Sequence, residues 1–346
     1  MFRWVRILGV VAAASLLAVL LVKRSFAPAE EERGRDAVRL QRLAQGSIGP
    51  TGEFAEGGFD PTAFLETWNF NDLPPQERSK FYKEFRLADG RTLREYRFYT
   101  VDKDIEVSPG VSFPAWAFNG QVPGPTIRAT EGDVIRIHFQ NLASKAHTMH
   151  FHGFHKLSMD GALPEQFVYP GESFVYEFEA EPYGVHLYHC HAVPISQHIH
   201  KGLYGVYIVD PKKDTRPRAD RELVMVMNGF DTNFDEENEV YAVNTKAFYY
   251  AKHPIRVKKG ELVRIYLVNI LEFDPVNSFH VHANFFDEYK TGTKLSPDSF
   301  TDTIIMGQGE RSILDLRFRF AGKVMFHAHK TEFAEKGWMG FFEVVE

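Results

Sequence analysis

An internal repeat constrains the fold of this chain more than any other feature of its sequence. The segment TIRATEGDVIRIHFQN at 126–141 aligns with PIRVKKGELVRIYLVN at 254–269, and the two share Ile, Arg, Gly and Asn positions. Three further segments match in the same order: MHFHGF with FHVHAN, HLYHCH with VMFHAH, and KGLYGVYIV with KGWMGFFEV. Because self-similarity at a fixed spacing marks a repeated structural unit, the chain is built from two related units in tandem.

Each unit consists of short runs in which apolar and polar residues alternate. Runs such as VIRIHF, FVYEFE, LVRIYLV and ILDLRFRF are separated by Gly, Pro, Asn and Asp, and neither unit has sustained helical periodicity. This pattern predicts regularly spaced short strands, which are typical of a β-sandwich or barrel. We predict an all-β fold with one domain at 96–213 and another at 220–346, joined by the charged linker PKKDTRPRAD.

The N-terminus has the pattern of an export signal. Two arginines precede an uninterrupted run of sixteen apolar residues, 7–22, and the small-residue pattern Ala27-Pro-Ala29 follows. The run is slightly shorter than the roughly 17–25 residues of a spanning helix. Lys23 and Arg24 directly after it are unusual in a cleaved signal.

Two alternatives therefore stay open for this terminus. One is a signal peptide over 1–29 that is removed, and the other is a membrane anchor through 7–22 that stays. Either one exports the rest of the chain to the periplasm or the cell exterior. Residues 30–95 are a separate extension in which QRLAQG and PPQERSKFYKEFRL could form short helices, and we assign no chemistry to it.

The charge of the chain excludes one class of partner. It carries 40 basic and 46 acidic side chains, a formal net charge of −6, whereas nucleic-acid-binding domains usually present a basic face. We therefore expect no nucleic-acid partner. The single cysteine, Cys190, rules out an intrachain disulfide, but this does not place the chain in a reducing compartment, because exported proteins need not carry disulfides.

Eight of the fifteen histidines form four H-x-H pairs at equivalent positions of the two units. The pairs are His150/His152 and His189/His191 in the first unit, and His280/His282 and His327/His329 in the second. Residues i and i+2 of a strand point to the same face, so each pair presents two imidazoles in one direction. Four such pairs at matching positions indicate metal binding rather than surface or core histidines.

Cys190 narrows the choice of metal, since imidazole alone suits Zn, Cu, Fe or Ni. It lies between two paired histidines and on a strand points to the face opposite to both. By the same parity, His147 faces away from the pair that follows it. His147 and Cys190 could therefore meet inside the first unit, with His198 or His200 as a third ligand. Two imidazoles and a thiolate with a weak axial group are the blue-copper arrangement.

These motifs resemble the copper motifs of multicopper oxidases. The resemblance rests on H-x-x-H-x-H-G at 147–153, on H-C-H followed by H-x4-L at 189–203, and on FNGQVPGPTIR at 118–128. It covers roughly 96–346 and points to the two-domain, laccase-like multicopper oxidases, which are related to copper nitrite reductases. It implies two cupredoxin-like Greek-key β-sandwich domains and a copper-dependent oxidoreductase.

The resemblance implies four coppers per chain, beginning with a type 1 copper in the first unit. Its ligands would be His147, Cys190 and His198, with His198 preferred over His200 because it stands five residues before the axial position. Leu203 occupies that position, where methionine is common, and leucine cannot coordinate a metal.

The other three coppers would use the eight paired histidines. The resemblance implies a type 2 copper on His150 and His280. It implies a type 3 pair held by six histidines: His152, His189, His191, His282, His327 and His329. Cys190 would carry electrons from the type 1 copper to the histidines on either side of it.

The second unit departs from the type 1 pattern. Asn277, Ala328 and Trp338 stand where the first unit has its type 1 histidine, its cysteine and its axial leucine. The loop before the second KG is three residues shorter and contains no histidine. The second unit is therefore expected to hold only type 2 and type 3 ligands.

The function implied is that of an exported copper oxidase. A reducing substrate, a phenol or a metal ion, would give single electrons to the type 1 copper, and O2 would be reduced by four electrons to water at the three-copper cluster. Two-domain oxidases of this kind are homotrimers, with the cluster between the first unit of one chain and the second unit of the next.

Several polar residues lie outside this assignment. Proton delivery would need a carboxylate, and Asp160 and Glu332 lie near ligand segments in sequence. The remaining histidines are interpreted as structural or surface residues: His138, His155, His186, His200 and His253.

Two other functions stay open. A copper nitrite reductase resembles this chain in its two-domain build and its type 1 site, but that family has one catalytic copper on three histidines. His150 stands here where that family has a carboxylate, and Cys190 is followed by His191, so both positions add ligands for a three-copper cluster. An electron carrier without catalysis would need only the type 1 ligands and would leave the paired histidines unused.

Overall fold

The computed structural model describes residues 53–55, 58–66 and 82–346 of the chain. The predicted signal or anchor at 1–29 and the predicted helix QRLAQG lie outside these residues. Among the residues described, no helix is both long enough and apolar enough to cross a membrane.

Strands dominate the described chain. The first half contains β1 (Lys83–Arg86), β2 (Thr92–Ser108), β3 (Val111–Phe118), β4 (Gly124–Thr130), β5 (Val134–Asn141), β6 (His150–Phe151), β7 (Ser173–Glu179), β8 (Gly184–His189) and β9 (Tyr204–Asp210). The second half contains β10 (Arg221–Phe230), β11 (Val240–Val243), β12 (Ile255–Lys258), β13 (Leu262–Asn269), β14 (Val276–Val281), β15 (Phe286–Lys290), β16 (Ser299–Thr301), β17 (Thr303–Gly307), β18 (Arg311–Arg317), β19 (Gly322–His327) and β20 (Met339–Val345).

Short helices connect some of these strands. Those in the described residues are α1 (Pro61–Leu65), α2 (Ile195–His200), α3 (Tyr249–Lys252) and α4 (Thr331–Glu335), with 3-10 turns at Leu157–Met159 and Pro164–Gln166.

Both halves consist of two sheets that share a core topology, to which the second half adds β15, β16 and β17. In the first half the order is β1-β2-β5-β7, with β3 paired to β2, and the second sheet is β4-β9-β8-β6. In the second half the orders are β11-β10-β13-β18-β15-β16 and β12-β20-β19-β14-β17. Each half has two parallel pairings, β2/β5 and β4/β9 in the first and β10/β13 and β12/β20 in the second. The predicted all-β fold of two cupredoxin-like sandwiches is confirmed.

Three apolar cores follow from the alternation of side chains along the strands. One lies inside the first sandwich and includes Phe139 and Tyr188. Another lies inside the second and includes Phe279 and Trp338. The third contains residues of both halves, so apolar side chains on the outer faces of the two sandwiches pack against each other. The described part from 53 to 346 therefore belongs to one compact unit.

The described end of the predicted extension differs from the sequence-based expectation. Residues 83–86, within PPQERSKFYKEFRL, form β1 rather than a helix, because they pair antiparallel with β2 along their whole length. β2 itself begins at Thr92, so the first sandwich starts before the predicted boundary at residue 96. Farther upstream, α1 packs the buried Leu65 into the core of the second half.

A buried ion network around Arg128 also joins the two halves. Its guanidinium lies 2.8 Å from Asp210 of the first half and 2.8 Å from Glu222 of the second. The same group donates to the hydroxyl of Tyr266 at 3.1 Å. Arg128 is 1% exposed, whereas Arg256, its counterpart in the repeat, is exposed on the surface of the second half. One repeated arginine has therefore become an interface residue.

We predict that Arg128→Met lowers the free energy of unfolding by about 3–5 kcal/mol, because two carboxylates stay buried without their cation. Urea denaturation followed by circular dichroism measures this change. The matched control is Arg256→Met, which removes the repeat counterpart and should change stability by less than about 0.5 kcal/mol. Equal effects of the two substitutions would contradict the assignment of Arg128 to the interface.

Candidate metal centres

The structure brings His147, Cys190 and His198 together inside the first sandwich. The Sγ of Cys190 lies 3.1 Å from Nδ1 of His198 and 3.8 Å from Nδ1 of His147, and the two nitrogens are 3.2 Å apart. All three side chains are buried. The centre of this triangle is about 2 Å from each atom, so an ion slightly out of its plane can lie about 2.0 Å from both nitrogens and about 2.3 Å from the sulfur. The donor set therefore fits one metal ion of the blue-copper class.

Local structure holds each of these donors in place. Cys190 directly follows β8, and its N–H donates to the carbonyl of Leu203 at 2.9 Å. The N–H of Thr148 points at the Cys190 sulfur at 3.3 Å, which favours the thiolate. Gly202 has a φ of +107°, and a Cβ there would lie 2.6 Å from Val122. Glycine therefore lets the chain turn sharply after α2 and return beneath the site.

Burial shifts the acid–base behaviour of this site. It lowers the pKa of His147 to about 3 and that of His198 to about 4, and it raises the pKa of the Cys190 thiol to about 11. Both imidazoles are therefore neutral at pH 7, with a lone pair free for a metal. The thiol is protonated until a cation displaces its proton, so metal binding releases a proton.

Four predicted ligands of the first half form a separate quartet: His150, His152, His189 and His191. The ring of His150 lies 5.4, 5.1 and 5.2 Å from the other three rings, in that order. The antiparallel pairing of β6 with β8 places His150 opposite His189. The Nε2 atoms of His152 and His189 are 3.3 Å apart, close enough to share one metal ion.

Hydrogen bonds set the tautomers of two of these rings. The Nδ1 of His150 donates to the carbonyl of Asp160 at 2.9 Å, and that of His189 donates to the carbonyl of Cys190 at 2.9 Å. Carbonyl oxygens only accept, so Nδ1 carries the proton and Nε2 is left as the ligand atom. Cys190 thus contributes its sulfur to one site and its backbone oxygen to a histidine of the other.

The second half repeats this quartet with His280, His282, His327 and His329. The ring of His280 lies 5.0, 5.3 and 5.2 Å from the other three rings, in that order. The Nε2 atoms of His282 and His327 are 3.0 Å apart. The Nδ1 atoms of His280 and His327 donate to the carbonyls of Asp302 at 3.0 Å and Ala328 at 2.7 Å. The two quartets therefore have the same construction.

Within the described chain, the two quartets do not meet. No hydrogen bond or ring contact among these residues joins a histidine of one quartet to a histidine of the other. The compact ligand groups that contain these histidines draw on one half each, such as His150, His152 and His189, or His280, His282 and His327. One chain therefore presents two separate clusters of four imidazoles.

The second half has no counterpart of the cysteine site. Ala328 donates its N–H to the carbonyl of Trp338 at 3.2 Å, as Cys190 does to Leu203. Trp338 donates in turn to the carbonyl of Phe333 at 2.9 Å, which places Phe333 where the first half has His198. Alanine, phenylalanine and tryptophan offer no metal ligand.

His200 is excluded from the cysteine site by its own contacts. Its Nε2 accepts the N–H of Asp231 at 3.1 Å, and its ring packs against Phe113 at 5.1 Å and Phe273 at 5.0 Å. The structure therefore places His198, and not His200, beside Cys190.

The two carboxylates considered for proton delivery have different surroundings. Asp160 accepts from Nε2 of His155 at 2.9 Å and lies 3.2 Å from Nδ1 of His150. Glu332 instead pairs with Lys336 at 2.8 Å, outside both quartets. His155, interpreted from sequence as structural, is therefore joined to a ligand histidine through Asp160.

Trp116 is a site residue that the sequence-based assignment lacks. Its ring lies 4.7 Å from the ring of His198 and 5.2 Å from that of His147. It stands on β3, two residues before the FNGQVPGPTIR motif, and no local spacing connects it with either histidine. Its position just before a recognised motif is a weak indication, from sequence alone, that it belongs to the site.

Comparison with known proteins places the chain among copper oxidoreductases. Two family models, both of multicopper oxidases, match 100–214 and 215–346. A crystal structure of a multicopper oxidase is 54% identical to this chain, with a TM-score of 0.78, and the match covers 83% of this chain and 98% of the other.

Copper nitrite reductases are also similar to the chain. The copper-containing nitrite reductase of Neisseria meningitidis serogroup A / serotype 4A (strain DSM 15465 / Z2491) is 31% identical over 266 residues, 71% of this chain and 68% of its own. The structure of the copper nitrite reductase from Nitrosomonas europaea is 29% identical, with a TM-score of 0.66, over 73% of this chain and 94% of its own. The predicted relationship to both groups is confirmed.

We predict that the copper-free protein loses stability in acid. Burial lowers the pKa of six histidines to about 3 or 4: His147, His152, His186, His189, His198 and His200. In the unfolded chain these imidazoles bind protons below their usual pKa of 6.5, but in the folded chain they do not. Stability is therefore full above pH 6.5 and falls between pH 6.5 and 4, by up to about 1.4 kcal/mol per pH unit for each histidine.

Thermal unfolding of the copper-free protein at pH 7.5, 6.5, 5.5 and 4.5 tests this expectation. The midpoint should change little between the first two values and fall steeply between the last two. A midpoint that stays constant down to pH 4.5 would contradict the burial of neutral imidazoles.

Proposed function

We propose that this chain, which belongs to the multicopper oxidase family and is a copper oxidoreductase, oxidises a reducing substrate one electron at a time and reduces O2 to water. The observation that supports this most is the donor inventory of the chain. A buried site of one thiolate and two imidazoles lies next to a quartet of imidazoles, and the second half carries another quartet. An electron carrier would need only the first of these sites.

The residues assigned to copper fall into the types expected for four ions per chain. His147, Cys190 and His198 would hold a type 1 copper, with Leu203 as a non-coordinating axial neighbour. His150 and His280 would hold a type 2 copper, and the other six paired histidines a type 3 pair. When bound, copper supplies one-electron transfer at the thiolate site and reduction of O2 at the histidine sites.

The protein's contribution is to connect and orient these sites. The sulfur of Cys190 belongs to one site, and peptide bonds join it directly to His189 and His191 of the other. The hydrogen bond from Nδ1 of His189 to the Cys190 carbonyl adds a second connection of 2.9 Å. This short covalent path is what an electron relay between the two sites requires.

Asp160 is the carboxylate that we assign to proton delivery. It accepts from Nε2 of His155, whose side chain is buried, and lies next to His150. A carboxylate that contacts two imidazoles is placed to act as a general acid–base group beside the site where O2 would be reduced. Glu332 is occupied by lysines and is not assigned this role.

A homotrimer is proposed because one chain leaves both quartets incomplete. Eight imidazoles are needed for a type 2 copper and a type 3 pair, and the two quartets of one chain do not meet. Phe285 follows His282 by three residues and contacts Phe300, their rings 5.3 Å apart, while Ile305 pairs with Ser278 on the strand of His280; all three side chains are exposed. Phe154 and Leu157 are exposed just after the histidines of the first quartet. Apolar surface beside each quartet supports a head-to-tail contact that closes into a ring.

Export to the periplasm or the cell exterior is part of the proposal. It rests on the apolar segment 7–22 and the basic residues before it. Whether 1–29 is cleaved or 7–22 anchors the protein to a membrane is decided by N-terminal sequencing of the mature protein.

We predict that His282→Gln abolishes O2 reduction while the blue absorption of the thiolate site remains. The substitution removes a proposed type 3 ligand, so O2 consumption should fall by at least about 100-fold. An oxygen electrode, visible spectroscopy and copper analysis measure the three quantities. The matched control is His253→Gln, which removes a histidine outside both quartets and should leave all three unchanged.

Copper analysis and activity assays of the wild-type protein distinguish an oxidase from a nitrite reductase. The oxidase is expected to bind four coppers per chain and consume O2 with a phenol or a metal ion as donor. Two coppers per chain, with nitric oxide formed from nitrite and no O2 consumed, would establish the reductase instead.

We predict that Phe300→Asp dissociates the trimer. A charge in the apolar surface beside His280 should yield monomers that keep the blue absorption but lose O2 reduction. Analytical ultracentrifugation and an oxygen electrode measure the two effects. The matched control is Phe320→Asp. Phe320 is also exposed, but it precedes β19, and His327 lies at the other end of that strand, about 20 Å away. A fully active monomer would refute the shared cluster.

A further inference from the structure

The proposed type 1 site has no ligand edge open to a reductant. His147 and Cys190 are 0% exposed, His198 is 3% exposed, and Leu203, whose carbonyl accepts from the N–H of Cys190, is 0% exposed. A donor in solution therefore cannot touch any of the ligand side chains to a useful extent. Electrons must enter through a group that covers them, and the identity of that group decides how well a donor is coupled to the site.

Trp116 covers both histidine ligands. Its ring lies 4.7 Å from the ring of His198 and 5.2 Å from the ring of His147. Among the described residues, it is the only aromatic side chain in ring contact with these two histidines besides each other. At 9% exposed, Trp116 is also more exposed than either ligand. One side chain thus touches both ligands and reaches the surface.

The backbone holds Trp116 firmly over the site. The backbone N–H of Trp116 donates to the carbonyl of Lys201 at 2.8 Å, which ties β3 to the end of the helix that carries His198. The ammonium of Lys201 donates to the carbonyl of Pro114 at 2.7 Å and lies 6.0 Å from the Trp116 ring. The indole therefore stays in contact with the ligands without a change of conformation.

We propose that Trp116 is the residue through which the electron donor is coupled to the type 1 site. The inference rests on the proposed function, because it presupposes a copper on His147, Cys190 and His198. The donor would lose one electron, and this electron would reduce a cupric ion held by His147, Cys190 and His198 to the cuprous state. Trp116 is left unchanged, and no bond forms or breaks.

The chemistry of indole suits this position. Electron transfer slows steeply across gaps between atoms that are neither bonded nor in contact, and a delocalised ring in contact with both ligands shortens that gap. Tryptophan presents the largest such ring among the side chains and stays uncharged throughout. An aliphatic side chain of similar burial would exclude water from the site but would not extend its π system.

The internal repeat supplies a natural comparison. Tyr241 is the counterpart of Trp116 in the second half. Its backbone N–H donates to the carbonyl of Lys336 at 3.2 Å, as that of Trp116 donates to Lys201. Its ring stacks on Phe333, which replaces the histidine ligand, at 4.0 Å. An aromatic ring at this position therefore also packs against its neighbours, so a test must separate the loss of packing from the loss of electronic coupling to the donor. Tyr241→Leu removes the same packing where no type 1 ligands exist.

The experiment measures anaerobic reduction of the type 1 copper by stopped flow, using bleaching of the blue band and two donors, hydroquinone and ferrocyanide. Trp116→Leu should keep the blue band and copper content but lower the second-order rate constant about tenfold for both donors, equivalent to about 1.4 kcal/mol. Trp116→Phe, which keeps an aromatic ring, should lower it about threefold. Tyr241→Leu should leave it unchanged.

Redox titration of each variant separates coupling from a change in driving force. The rate loss is expected at an unchanged reduction potential. Reduction of Trp116→Leu at the wild-type rate would overturn the proposal. Faster reduction with a lowered potential would also overturn it, because Trp116 would then be a shield against water. If Trp116→Leu does not fold, the rate constant of Trp116→Phe tests the proposal instead: a threefold loss would support it, and the wild-type rate would overturn it.

A readout that does not depend on turnover completes the test. Addition of copper to the copper-free protein should quench tryptophan fluorescence, and much of that quenching should be lost in Trp116→Phe, because Trp338, the other tryptophan among the described residues, lies in the core of the second half. A wild-type protein that binds copper without any blue band would overturn the type 1 assignment itself, and the role of Trp116 with it.

Discussion

The alternation of side chains along one extended segment is the constraint on which both metal sites depend. His189, Cys190 and His191 follow one another at the end of β8, so the sulfur points to one side and the two imidazoles to the other. The sulfur meets His147 and His198 in the buried site, and the imidazoles join the quartet built with β6. A slip of one residue in this segment would exchange the two sets of ligands. The close spacing of the two sites is therefore a consequence of the two-residue period of a strand.

The two halves share one kind of sandwich but differ in the metal ligands that it carries. Both quartets survive with the same hydrogen bonds from Nδ1 to backbone carbonyls, because the strands that carry them are part of the shared topology. The thiolate site survives in the first half only. In the second half, apolar residues and Trp338 fill its place and extend the hydrophobic core. Metal ligands that face a core can be replaced by apolar side chains at little cost in stability, whereas most of the quartet histidines lie outside the apolar cores and are at least partly exposed.

At the interface between the halves, too, residues that are equivalent in the repeat have different surroundings. Arg128 and Arg256 are equivalent in sequence, yet only Arg128 is buried between carboxylates of the two halves. A second pair of equivalent arginines diverges in the opposite sense. Arg264 of the second half is buried against Asp315 at 2.7 Å, while Arg136 of the first half is half-exposed beside Glu177. The surroundings of each arginine, and not its place in the repeat, decide its contribution.

The sequence by itself determined the all-β class and the two related units, and it predicted the cysteine site and the four histidine pairs, because strand parity and repeat spacing act over a few residues at a time. Tertiary structure alone decided that Asp160 joins His155 to His150 and that Trp116 covers the ligands, and it places His198, which the resemblance favoured over His200, beside Cys190. It also decided that the two quartets of one chain stay apart. These outcomes depend on contacts between segments far apart in the chain, and the direction of a helix or the packing of two sheets leaves no local periodicity to read.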